Sequence, residues 1–95
     1  MLSIKDTTTT STALPIDYEV ACDIMGTVIA YYTKKINDEE SKVEPDKARL
    51  DALNKKFVEV FRAQRDLRAS EPEKIKALCD HYAPMARTVL SGGEL

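Results

Sequence analysis

The chain has 95 residues, 43% of them hydrophobic and 32% charged, with a formal net charge of -2 and only three Gly. That length suits one domain, able to close a core but not a deep cavity. The balance excludes a β-rich or disordered chain and gives no overall pull toward nucleic acid or an anionic membrane.

Residues 1–13 include the hydroxyl run Thr7 to Thr12, which has no helical stripe and no turn logic. They predict a short mobile Thr/Ser-rich tail. The first helix is expected over about 16–40. Its apolar residues fall in four adjacent columns: Cys22, Ile29 and Ile36; Tyr18, Met25 and Tyr32; Ala21 and Val28; Ile24 and Tyr31. Side by side these cover roughly 200° of the helix, more than one neighbour can hide. Gly26 sits on the polar side, where it weakens the helix by about 1 kcal/mol relative to Ala and leaves room for a close approach. Asp38, Glu39, Glu40, Glu44 and Asp46 make the next stretch an acidic connection, bounded by Pro45.

The second helix is expected over about 46–68. Leu50, Leu53, Phe57, Val60, Gln64 and Leu67 step by three and four, a heptad seam. Val58 and Phe61 widen it on one side, and Gln64 is its one polar member, either edge-exposed or a register-setting contact. Ser70-Glu71-Pro72-Glu73 has the form of a capping box and starts the third helix, over about 71–91. A turn that short makes helices two and three near-antiparallel neighbours. Ile75, Leu78, Tyr82, Met85 and Val89 form the third seam. Pro84 lies off that seam, so a bend is expected in place of a break. Gly92-Gly93 stops the helix, leaving 92–95 as a frayed end. The fold expected is an all-α antiparallel three-helix bundle over 14–91, with helix one the most buried member.

Little in the chain converges on chemistry. Cys79 and His81 are two apart on a helix and point about 200° from each other, so they do not readily share a metal ion. His81 is the only histidine, and Cys22 and Cys79 read as small core fillers, so a cysteine-dependent enzyme is the weakest of the readings. The Gly pair follows a helix and ends near the C-terminus, the wrong place for a phosphate cradle. No metal, no cofactor and no enzyme are expected. The N-terminus carries no basic-then-apolar signal pattern, no apolar run approaches the ~20 residues of a membrane span, and the cysteines lack the spacing of a disulfide framework. The expected compartment is therefore the cytoplasm.

What remains is a protein that works through its helix faces: an adaptor, a regulator or inhibitor, or an assembly subunit. Its partner would be another protein, a second copy of itself, or both. The candidate interface residues are Tyr18, Met25, Tyr32, Val58 and Phe61, apolar or aromatic and surplus to a single packing contact. The alternative is a nucleic-acid-associated regulator that uses Lys55, Arg62 and Arg65 of the second helix. Asp51 with Lys55, Glu59 with Arg62, and Arg62 with Asp66 stand at pairing distance, however, which describes a salt-laced solvent face and weighs against nucleic acid. A polar cleft around His81, in a subunit that hides every apolar face, would point away from the interaction reading.

Overall fold

A computed structural model describes residues 16–95, so the Thr/Ser-rich stretch lies outside the described residues. Three helices follow in order: α1 (Ile16–Glu40), α2 (Lys47–Asp66) and α3 (Pro72–Leu90). None is long and apolar enough to cross a membrane. The arrangement is the expected all-α three-helix bundle.

The wide apolar face of α1 explains its place. Ala21, Met25 and Val28 have no exposed surface, and Tyr32 keeps only 6%. Both other helices pack closely on α1 and approach each other far less. They are antiparallel in order, as a short turn requires, but α1 is the surface they share. Gln64, near the end of α2, donates to the Cys22 carbonyl near the start of α1 at 2.9 Å. Gln64 is thus a register-setting contact. Continuing that antiparallel register in heptads brings Ile29 opposite Phe57 and Ile36 opposite Leu50, four residues partly buried at that seam. Met25, Leu67, Val28 and Val60 are the largest side chains fully enclosed.

The α1–α2 connection is organised by a buried acid. Glu39 is 2% exposed. Its carboxylate accepts from the backbone N–H of Asp46 and from Lys42 Nζ, both at 2.9 Å, and Arg49 Nε stands 3.4 Å away. Pro45 keeps the chain extended, and Asp46 then caps α2 by accepting from the N–H of Arg49 at 3.2 Å. In the sequence Glu39 is one of five acids in the acidic connection, with no signal that separates it from the others. Its burial follows from the return of the chain across the end of α1.

The α2–α3 connection corrects the expected capping box. The N-cap is Glu71, not Ser70, and no side chain caps α3. Pro72 takes the first helical position, and a residue before proline avoids helical geometry, so the non-helical cap must be Glu71. Its carboxylate turns backward, accepting from the N–H of Arg68 at 3.0 Å. α2 ends at Asp66 because Leu67 turns extended and inserts into the core.

α3 runs through Pro84 unbroken. At its end Gly92 adopts φ 85°, a left-handed geometry favouring glycine. Gly92 N–H bonds Val89 O at 3.0 Å and Gly93 N–H bonds Thr88 O at 2.8 Å, the paired bonds of a Schellman close. A Cβ at Gly93 would meet Thr88 Cγ2 at 2.8 Å and its carbonyl oxygen at 3.1 Å. The turn sends the last residues back onto α1 in place of a frayed end. Glu94 meets Lys35 at 2.8 Å, and the N–H of Leu95 donates to the Tyr31 hydroxyl at 3.0 Å.

Candidate functional site

The four apolar columns of α1 are covered within the subunit, with Val20 outside them 44% exposed; the extra width of α2 is not covered. Met25 and Tyr32 lie in the core and Tyr18 is half-buried against it, so three of the five interface candidates are satisfied by the chain itself. The reason is the central position of α1, which has a helix on each flank. Val58 and Phe61 are different: they are 37% and 42% exposed. Phe57 lies below, its ring stacked on Phe61 at 5.7 Å between centroids and 14° between planes. The i,i+4 spacing allows that stack, and the half-buried Phe57 fixes the exposed ring from beneath.

The same helix face carries charge. Asp51, Lys55, Val58 and Arg62 repeat at steps of four, three and four, one column of the helix, with Glu59 on one flank and Asn54 and Phe61 on the other. These residues except Phe61 make one shallow, open surface on the outer side of α2. Among the described residues, Asp51, Lys55, Glu59 and Arg62 form no ion pair. The salt-laced face expected from their spacing is therefore not made. Arg65 is the exception among the basic candidates. It grips the neighbouring Asp66 at 2.9 and 3.3 Å, and that contact holds the Asp66 carboxyl below its ordinary range. Lys55 and Arg62 belong to this open surface.

A second concavity, about 180 Å³, lies between α2 and α3 and is lined by Tyr32, Lys56, Glu59, His81, Tyr82 and Met85. His81 packs edge-on to Tyr82, centroids 4.6 Å apart. Burial pushes the phenols of Tyr32 and Tyr82 up, with Tyr31 adding to the first and Glu59 to the second. So a small polar cleft does touch His81, but the subunit does not hide its apolar surface. Neither cysteine reaches this cleft. Cys79 lines a separate hollow with Asp17 and Lys76, and burial, then Asp17, pushes its thiol up, away from the thiolate a nucleophile needs. Among the described residues no group of three His, Cys, Asp or Glu side chains could hold a metal ion.

Periodicity singles out Val58 and Phe61 as surplus to the α2 seam, and both are exposed, but two features beside them need the structure. Phe57 belongs to the heptad seam, yet its i,i+4 spacing to Phe61 also permits the stacked pair. The charges along one column have the spacing of internal pairs, yet among the described residues they point outward unpaired. Compared with protein-family models, curated protein sequences and solved structures, the chain matches none of them.

Proposed function

We propose that the chain is a non-enzymatic protein-interaction module that docks another polypeptide on the outer face of α2. The observation that carries this reading is the exposure of Val58 and Phe61 side by side on a helix whose opposite side is already packed on α1. Two large apolar side chains held rigidly at a surface gain about 1–2 kcal/mol each when a partner covers them, and aromatic residues dominate interface energetics. Asp51 and Glu59, interleaved with Lys55 and Arg62, disfavour a phosphate backbone on the same face. An adaptor, regulator or assembly subunit in a reducing, cytoplasmic setting is the role this reading fits, in keeping with two free thiols.

A photo-crosslinking residue in place of Val58, activated in living cells, tests it. The expected result is a discrete higher-mass adduct that the added substitution Phe61→Ser reduces at least tenfold. The same residue in place of Ala77, exposed on α3, should give none. Equal labelling at the two positions, or none at either, overturns the reading.

A further inference from the structure

The outer face of α2 has a sign pattern that specifies its occupant. We infer that a second copy of this chain docks there, its α2 antiparallel to the first across a two-fold axis level with residues 57 and 58 on the outer side of the helix. This rests on the reading that the α2 face is a docking surface, and it names the partner.

Asp51, Lys55, Val58 and Arg62 occupy one column spanning about 17 Å at 1.5 Å per residue. Acid stands at one end and base at the other. Laid against its own reverse, the column brings Asp51 to Arg62 of the second copy and Lys55 to Glu59 of the second copy. A two-fold axis repeats both contacts, so four opposite-charge pairs form from four residue types. Between them Val58 meets Val58 of the second copy, and Phe61 falls over Asn54 of the second copy on the same flank. A two-fold axis perpendicular to both helices keeps like flanks together, so the apolar flank and the charged flank register at once. Parallel docking does the opposite: every charge then meets its own sign.

Two observations support this independently of the pattern. None of the four charges is paired within the described chain, so docking breaks no internal ion pair. The exposed apolar side chains of α2 lie on this face, Val58 inside the charged column and Phe61 beside it. One helix pair of this length covers less than the ~1,200 Å² of a standard interface, so the dimer is reversible and weak. Opposite-charge contacts at the rim set its register and weaken as salt screens them.

Sedimentation equilibrium from about 1 μM to about 1 mM at low salt, with far-UV circular dichroism as a fold control, tests the geometry. Wild type should pass from monomer to dimer across that range. Lys55→Glu and Glu59→Lys each place like charges at two symmetry-related contacts, and each should weaken self-association at least tenfold. The double variant Lys55→Glu/Glu59→Lys should recover it. An equimolar mixture of the two single variants should form a heterodimer, because each contact then pairs opposite signs. A wild type that stays monomeric to about 1 mM overturns the inference. So do single variants that associate like wild type, or a mixture with no heterodimer. In the crosslinking experiment at position 58, an adduct of twice the chain mass agrees with this occupant. An adduct of any other mass sinks this inference alone, while absence of an adduct sinks the docking reading beneath it.

Discussion

Gly26 shows how one missing side chain acts through a neighbouring helix. The Cys22 carbonyl, one turn earlier in α1, is where Gln64 of α2 donates its bond. A Cβ built at Gly26 would stand 3.6 Å from Gln64 Nε2, ordinary contact and no clash. The glycine therefore costs helix stability without being required for the approach. Gly26→Ala is expected to raise stability by about 1 kcal/mol, the helix-propensity difference, with the Gln64 bond intact. Urea denaturation of the two proteins measures it. A loss in place of a gain would mean that the two helices lie closer at this point than the Cβ distance indicates.

At the scale of elements, the helix ends are set by proline and by burial more than by the hydroxyl or carboxylate nearest the boundary. Pro45 lies in the first connection and Pro72 opens α3, and each forces the residue before it out of helical geometry. At Pro45 this leaves Asp46 in place as a working cap, bonded to the N–H of Arg49. At Pro72 it shifts the cap to Glu71 and strands Ser70 one residue too early. Asp46→Ala should therefore cost about 1 kcal/mol, whereas Ser70→Ala should stay within about 0.5 kcal/mol of wild type. Thermal melts of the two variants side by side decide this. Equal losses would restore the capping box at Ser70.

Across the whole molecule, Glu39 fastens the end of α1 to the start of α2, and Glu94 ties the C-terminal residues to α1. The Asp46 N–H, then Lys42, hold the Glu39 carboxyl below its ordinary range, and Lys35 does the same for Glu94. An unfolded glutamate titrates near ~4.3, so the folded state binds fewer protons than the unfolded state around that pH. The stability these two acids contribute is complete above that value and is lost as pH falls through their lower folded values. Melting temperature should hold from pH 7 to about pH 5 and then drop. Glu39→Gln should lower the neutral-pH plateau and flatten the acid drop, and an unchanged acid slope in that variant would remove Glu39 as its source.

The chain's own order of residues was sufficient for three helices, their bounds to within a residue or two, and the excess apolar width of two of them. Periodicity, proline and glycine are local signals, and helix formation answers to local spacing. Gln64 and Gly26 were legible as anomalies in that spacing, though not as partners. Which wide face would be closed internally was decided only by tertiary packing. Two helices can flank α1, so Met25 and Tyr32 disappear; α3 docks on α1 and leaves the outer flank of α2, so Val58 and Phe61 stay in water. The burial of Glu39 and the return of Glu94 to Lys35 belong to the same class. The contacts of Glu39 with Asp46 and Arg49 and of Glu94 with Lys35 cross helix boundaries, and only the folded path of the chain brings them within reach.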